Sequence, residues 1–238
     1  MLILACDTAT SILSVALCDG DRLAAEWTAE SGRRHAEQLP GLVDRCLTEG
    51  GRALSEVELL AVSIGPGSFT GLRVGVSAWK GLALALDRPL IGVPTLDAMA
   101  RIGAFRDQDV CPLLDARMKE VFGAVYRFEG MSRRKLTDDL ALPPDAFCAL
   151  LDSKRPTVFF GDGARQYREA LSKNAPHATF LDGPLWTPRA SAVAEEALER
   201  SERGDSGDAD QVSPVYLRKS QAEQNRERAA GAAGPEVG

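Results

Sequence analysis

The sequence has few residues of the kinds that build covalent cross-links, metal centres or membrane spans. Its five cysteines form no C-x-x-C pair, which argues against a disulfide framework and a zinc site and favours a reducing compartment; they are Cys6, Cys18, Cys46, Cys111 and Cys148. The chain has two histidines, His35 and His177. No apolar run approaches the roughly 20 residues that a membrane helix needs. We therefore expect a cytoplasmic protein with no membrane contact.

An excess of basic charge is also absent. The formal net charge is −6, with 28 lysines and arginines against 34 aspartates and glutamates. Such a balance provides no sequence-wide surface for neutralising phosphates, so tight RNA binding by this chain alone is disfavoured. What the chain does have is apolar content: 45% of its 238 residues are hydrophobic, enough for one large core or two small ones.

The first hundred residues alternate between strand and helix patterns. Apolar segments at 2–7, 12–18 and 23–28 are separated by turn residues and predict three paired strands. Residues 35–49 have helical spacing and end at a glycine pair. A strand at 59–64, a helix at 70–86, a strand at 90–93 and a helix from 95 to about 102 complete the order β-β-β-α-β-α-β-α.

A similar order begins again after residue 109. Strands are predicted at 110–115, 121–128, 135–137 and 157–160, with helices at 145–151 and 164–172. We expect an α/β protein of two related lobes with a cleft between them, each lobe a mixed sheet in β-β-β-α-β-α order. The first lobe spans 1–103 and is completed by 187–218, which includes a helix at 188–200; the second, smaller lobe spans 104–186. The polar, Ala/Gly-rich tail 219–238 is predicted to be disordered.

The most distinctive segment is the glycine-rich loop at 65–75, between a strand and a helix. Its glycines permit positive φ and close backbone approach, and Ser68 or Thr70 can cap the helix. The loop is not a Walker loop, because the glycine spacing is wrong and no lysine follows where a phosphate-binding lysine must lie. Two interpretations remain, close packing with partner contact or phosphate binding, and we favour the first.

Several motifs along the chain resemble those of one family. The topology, with its Asp-Thr-x-Thr first turn, resembles the actin-like ATPase superfamily, which has the RNase H-like, or ASKHA, fold. The motifs that are similar to those of the TsaB (YeaZ) family are Asp7-Thr8-Ala9-Thr10, Ser14-Val15-Ala16-Leu17, His35-Ala36-Glu37-Gln38-Leu39, the 65–75 loop, Lys80-Gly81-Leu82-Ala83, Asp115-Ala116-Arg117, Glu120-Val121-Phe122 and Pro214-Val215-Tyr216-Leu217-Arg218.

This resemblance implies a non-catalytic subunit for making threonylcarbamoyladenosine (t6A) in tRNA. Family members are similar to TsaD, the larger paralogue that transfers the threonylcarbamoyl group, and they cooperate with the ATPase TsaE, while TsaC makes the donor. We expect a heterodimer with TsaD, a ternary complex with TsaE, and a possible homodimer when alone. tRNA is expected to be contacted only through the complex.

The resemblance also implies that TsaD binds helices of the first lobe. On the helix at 35–49, the same apolar stripe is adequate for a core, so core packing remains an alternative to partner contact. His35 has the same ambiguity, as a packing or capping residue or as a general base, and we favour packing. The residues expected at the interface are His35, Leu39, Leu42, Val43, Cys46, Ser68, Thr70, Arg73, Val74 and Ser77.

The first turn departs from the superfamily's nucleotide-binding pattern. Asp7, Thr8 and Thr10 stand at a vestigial phosphate turn, but Ala9 occupies the place of the superfamily's glycine. The segment 161–164 is a short and unspecific candidate for an adenosine-side loop. We expect no cofactor for the isolated chain, because ATP and a metal ion belong to the partner subunits.

Two enzymatic alternatives are kept open. Asp7, Asp115 and Asp162 could approach the cleft, as paired acids do around magnesium and ATP in a small-molecule kinase, although turn formation is the simpler role for Asp7 and Asp115. A glycoprotease-like metallopeptidase is the other alternative. Neither histidine has a second histidine at helical spacing, which weakens it.

Overall fold

A computed structural model describes residues 1–32, 34–101, 107–130 and 132–218 of the chain. The first lobe consists of β1 (Leu2–Asp7), β2 (Ile12–Asp19), β3 (Arg22–Glu30), α1 (His35–Glu49), β4 (Leu59–Gly65), α2 (Phe69–Leu86), β5 (Leu90–Pro94) and α3 (Thr95–Met99). A short 3-10 turn at Leu54–Glu56 precedes β4. The predicted strands and helices of this half are confirmed, with ends that differ by a few residues.

The second lobe is built from shorter elements. It consists of β6 (Asp109–Arg117), β7 (Glu120–Gly123), β8 (Tyr126–Glu129), β9 (Ser132–Lys135), β10 (Leu140–Leu142), α4 (Pro144–Cys148), β11 (Thr157–Phe160), α5 (Asp162–Gln166), α6 (Arg168–Asn174) and β12 (Thr179–Leu181). A 3-10 turn at Pro184–Trp186 then leads to α7 (Ala190–Glu202), which packs against β1 and β2 of the first lobe.

The two sheets repeat one topology. The first has the strand order β3-β2-β1-β4-β5, and the second has β10-β7-β6-β11-β12. In each, the central strand pairs antiparallel with the following strand and parallel with a later one, as β1 does with β2 and β4 and β6 does with β7 and β11. The β8–β9 hairpin is an addition to the second sheet. The two-lobe α/β prediction is confirmed.

Both faces of the first sheet are covered, which explains why its strands are almost uniformly apolar. Along β1, Leu2, Leu4 and Cys6 belong to the core cluster that α1 and α2 cover. The alternate residues Ile3 and Ala5 pack in a second cluster with side chains of α7. Helices α1 and α2 therefore lie on one face of the sheet and α7 lies on the other.

Helix α3 packs against the second lobe as well as the first. Its residues Leu96 and Met99 share a buried cluster with Val110 and Leu114 of β6. The lobes are thus joined by apolar packing between α3 and β6. The predicted boundary at 103/104 and the predicted disordered tail at 219–238 lie outside the described residues.

Several predictions for the second lobe were wrong in detail. The expected strand 121–128 is two strands, because at Val125 the amide donates to Thr137 Oγ1 (3.0 Å) and the carbonyl accepts from Leu136 N (2.8 Å). These bonds replace those of a continuous ladder. The expected strand 135–137 overlaps β9 only at Lys135, the helix 164–172 is divided at Tyr167, and β10 and β12 were not predicted. Strands of three residues are too short to show a period.

Candidate functional site

The loop at 65–75 positions the start of α2 against the first turn of the protein. Ser68 is the N-cap residue, and its Oγ accepts a hydrogen bond from Gly71 N (3.2 Å), as the sequence predicts. The Ser68 amide donates to Ala9 O at 2.6 Å. The turn between β1 and β2 is therefore bound directly to the backbone of the glycine loop.

Three glycines make this contact possible. A Cβ atom at Gly67 would lie 2.4 Å from Ala9 O, one at Gly71 would lie 2.1 Å from Thr8 O, and one at Gly75 would lie 2.3 Å from Thr8 Oγ1. No side chain fits at such distances. The glycines therefore serve close packing between α2 and the turn, which is one half of the interpretation favoured from the sequence; its other half, partner contact, stays a prediction.

Local hydrogen bonds hold part of the turn, while Asp7 Oδ2 and Thr8 Oγ1 have no hydrogen-bond partner among the described residues. Asp7 is 1% exposed, and its Oδ1 accepts from the Ala9 amide at 2.9 Å. Burial raises the pKa of Asp7 to about 6, although bonds from the Ala9 amide and the Ser63 hydroxyl oppose the rise. Thr10 Oγ1 accepts from Ile12 N at 3.1 Å. Thr8 lies under α2, whereas Ala9 and Thr10 line the cleft between the lobes.

A cleft of about 690 Å³ separates the two lobes. Asp115 and Asp162 line it, whereas Asp7 is not among the residues that line it. Asp115 Oδ1 accepts from Arg117 N (2.8 Å) and from the Tyr167 hydroxyl (3.0 Å). Asp162 Oδ1 accepts from Asp115 N (3.1 Å), and burial raises the pKa of Asp162. Both carboxylates hold the end of β6 in place, so the turn-forming role expected for Asp115 is confirmed.

The described ranges 1–32, 34–101, 107–130 and 132–218 contain no group of three metal-ligating side chains. His35, the first residue of α1, is 6% exposed, and its Nε2 has no hydrogen-bond partner there. His177 lies between α6 and β12 in the second lobe. The two histidines are thus on different lobes.

The interface predicted on α1 needs a correction. His35, Leu39, Leu42 and Cys46 are buried by the chain's own first lobe, with exposures of 6%, 3%, 9% and 0%. Cys46 Sγ even donates to Val15 O of β2 at 3.2 Å. The apolar stripe of a helix can pack against only one neighbouring surface. In α1 the stripe packs against the first sheet, so these four side chains do not form an outer contact surface.

The residues predicted on α2 are accessible. Ser68, Thr70, Arg73 and Ser77 are exposed, and Val74 is half-buried, as is Val43 on α1. The same face continues beyond the predicted set through Gly81 and Ala85 to Leu84, which is 87% exposed. We call the exposed residues Thr70, Arg73, Ser77, Gly81, Leu84 and Ala85 the α2 outer face. Continuing the helical spacing past Ser77 in the sequence would have found its second half.

Arg73 is held by a contact that spacing could not reveal. Its guanidinium carbon lies 4.0 Å from the centre of the Phe69 ring, and its Nε donates to the Tyr216 hydroxyl at 3.0 Å. The Phe69 and Tyr216 rings stack with centroids 4.4 Å apart. Tyr216 belongs to residues 205–218, which we call the C-terminal strap because they run from α7 along β5 and α2 to the second lobe.

The chain is similar to known proteins along most of its length. The family model described as TsaD, tRNA N6-adenosine threonylcarbamoyltransferase, matches residues 28–225. A protein of Escherichia coli named tRNA threonylcarbamoyladenosine biosynthesis protein TsaB is 33% identical over 93% of this chain and 96% of its own length. The chain belongs to the TsaB (YeaZ) family. A Bacillus subtilis protein of the same name is 28% identical over 94% of this chain and 96% of its own length.

A solved structure of the family agrees with the fold. An uncharacterised Pseudomonas aeruginosa protein, described as similar to the peptidase YeaZ, has a TM-score of 0.79 and 34% identity, with 91% of this chain and 99% of that chain covered. That structure and this chain therefore share one fold, which in this chain is the two-lobe α/β architecture described above. No helix in the part of the chain that the structure describes is long and apolar enough to cross a membrane.

Proposed function

We propose that this chain acts in the biosynthesis of threonylcarbamoyladenosine in tRNA as a non-catalytic subunit, which binds TsaD and activates it together with TsaE. Membership of the TsaB family supports the pathway, since its relatives in two bacteria are named for this modification. The protein works in the cytoplasm, and the tRNA is contacted through the assembled complex. The transfer step belongs to TsaD.

One observation carries the non-catalytic role: the backbone of the first turn is packed against the protein's own glycine loop. Gly67 lies against the Ala9 carbonyl and Gly71 against the Thr8 carbonyl, so this side of the turn offers no space to a bound phosphate. In this proposal ATP and the metal ion are bound by the partner subunits. The isolated chain needs no cofactor because its task is to present a surface.

The α2 outer face is the proposed surface. It is made mostly of small residues and includes Leu84, whose side chain is 87% exposed. Small residues allow the axes of two helices to approach closely, so this face suits helix-on-helix packing. We propose that TsaD docks here and that, when TsaD is absent, two copies of the chain associate through the same face.

Two measurements test the proposal. Size-exclusion chromatography of the chain mixed with TsaD is expected to give a single earlier peak, and t6A formation in tRNA is expected only when TsaC, TsaD, TsaE and this chain are combined with ATP. Mass spectrometry of the digested tRNA measures the product. Full modification activity without this chain, or no complex with TsaD, would overturn the proposal.

The enzymatic alternatives predict different results. A metallopeptidase would hydrolyse peptides in a way that is lost on substitution of His35. A small-molecule kinase would bind ATP with magnesium at micromolar concentration in calorimetry. We propose that neither is observed, because Asp115 and Asp162, the carboxylates that line the cleft, are already bonded to the Arg117 amide, the Tyr167 hydroxyl and the Asp115 amide.

A further inference from the structure

We propose that Phe69 and Tyr216 hold Arg73 as a preformed receptor for a carboxylate on the partner protein, so that the C-terminal strap is part of the docking surface. This inference rests on the proposed function and goes beyond it by naming the chemistry of one contact. It also gives Tyr216 a role as a positioning residue that acts through Arg73.

The geometry around Arg73 leaves its outer donors available. The guanidinium group lies over the Phe69 ring at 4.0 Å, and only Nε is bonded, to the Tyr216 hydroxyl at 3.0 Å. Within the residues that the structure describes, neither Nη group of Arg73 has a hydrogen-bond or ion-pair partner. A planar guanidinium with two free Nη groups is suited to a carboxylate.

Tyr216 is itself held on both sides. The preceding residue, Val215, donates its amide to Ile64 O at 2.7 Å. A Cβ at Gly65 would lie 2.5 Å from Val215 O, so the loop glycine is what lets the strap lie this close. Beyond Tyr216, Arg218 donates to Ala116 O and pairs with Glu120, both at 3.0 Å. Tyr216 is therefore placed before any partner arrives.

Preorganisation matters because ordering a long side chain costs entropy on binding. A free arginine loses much of its rotamer freedom when it forms an ion pair, whereas Arg73 is already restricted by the stack and the hydroxyl. A carboxylate that meets it gains charge-assisted bonds without that cost. The strap thus raises affinity for the partner although it is far from α2 in sequence.

The surroundings favour a protein carboxylate over an RNA phosphate. The rest of the α2 outer face is uncharged: Thr70, Ser77, Gly81, Leu84 and Ala85. When a partner protein covers such a surface, water is excluded from it. The charge of Arg73 is then stable only if the partner places an opposite charge beside it. An RNA site would need several cations to neutralise successive phosphates, and the net charge of the chain is −6.

The test is calorimetric binding of purified TsaD from the same organism to the full chain and its variants. Tyr216→Phe keeps the ring stack and removes only the hydroxyl, and we expect it to weaken binding about fivefold. Arg73→Lys keeps the charge but loses the planar fork, with an expected loss of about tenfold. The double variant is expected to bind no more weakly than Arg73→Lys alone, because Tyr216 acts through Arg73.

The matched control is Arg168→Lys in the second lobe. Arg168 also lies over a phenylalanine, Phe180, at 4.6 Å, and it is paired with Asp182 at 2.6 Å. We expect the control to bind TsaD like the unchanged chain. Thermal melting of every variant checks that it folds.

Failure of this inference and failure of the proposed function give different results. If the unchanged chain does not bind TsaD, both the proposed receptor and the proposed function are wrong. If it binds and the variants at Arg73 and Tyr216 bind equally well, the receptor is wrong while the proposed function stands. Additive losses in the double variant would mean that Tyr216 acts by itself. A loss of affinity for tRNA alone, with TsaD binding unchanged, would assign the receptor to phosphate.

Discussion

Replacing Gly71 by alanine tests the contact on which the candidate site depends. The new Cβ would lie 2.1 Å from Thr8 O, more than 1 Å inside the 3.4 Å at which ordinary contact begins. The opposing atom is backbone, so either α2 or the first turn must move. Overpacking of this kind costs about 1–3 kcal/mol. Gly81 is the matched control, because it lies in the same helix with nothing within 4 Å of its Cβ position.

The two substitutions should change stability in opposite directions. We expect Gly71→Ala to lower the free energy of unfolding by about 2 kcal/mol and Gly81→Ala to raise it by about 0.5–1 kcal/mol, since alanine is the better helix former. At about 2–4 °C per kcal/mol, the melting temperatures should move about 4–8 °C down and about 1–4 °C up.

Urea unfolding followed by tryptophan fluorescence provides the measurement. Trp79 is a suitable reporter because its side chain, on the inner face of α2, is fully buried and its Nε1–H donates to Leu4 O at 3.1 Å. If Gly71→Ala unfolds at the same urea concentration as the unchanged chain, α2 does not press on the first turn in solution. The close packing of the first turn, which supports the non-catalytic role, would then be absent as well.

Three further predictions concern charge and surface. Burial raises the pKa of Asp7 to about 6, above its unfolded value of 3.8. Folding therefore favours the protonated carboxyl group, and the free energy of unfolding should fall as pH rises from about 4 to about 6. Asp7→Asn should remove this dependence and add up to about 3 kcal/mol at pH 7 in urea unfolding. Glu26→Ala should cost about 2–4 kcal/mol, because it leaves the Arg189 guanidinium at the start of α7 without its acid. Leu84→Asp should leave melting unchanged but weaken TsaD binding about tenfold or more in calorimetry, whereas Leu150→Asp on the second lobe should not.

Each of these has a result that would contradict it. A pH profile that is identical for Asp7→Asn and the unchanged chain would show that Asp7 titrates normally. Ser191 also donates to Glu26, through its amide (3.0 Å) and its hydroxyl (2.8 Å). If Glu26→Ala is as stable as the unchanged chain, the start of α7 does not depend on the Glu26 carboxylate. TsaD binding unaffected by Leu84→Asp would place the docking surface elsewhere.

Local sequence patterns determined most of the first lobe. Strands β1 and β4 are short apolar runs, and the spacing of α1 and α2 repeats over 15 and 18 residues. Over segments of this length, the spacing of the apolar residues indicates which face of the helix is buried, so these helices could be predicted from the residues alone. The capping of α2 by Ser68 and the turn at Asp7 were predictable for the same reason, because the donor and acceptor are two or three residues apart.

Only the tertiary structure decided which surfaces remain open. Periodicity shows that α1 has an apolar stripe but not what covers it, and the stripe with His35, Leu39 and Cys46 turned out to face the sheet. The division of the strand at Val125 depends on Thr137, and the orientation of Arg73 depends on Tyr216, 143 residues away. Such contacts leave no period in a sequence, because they arise when separate elements are packed together.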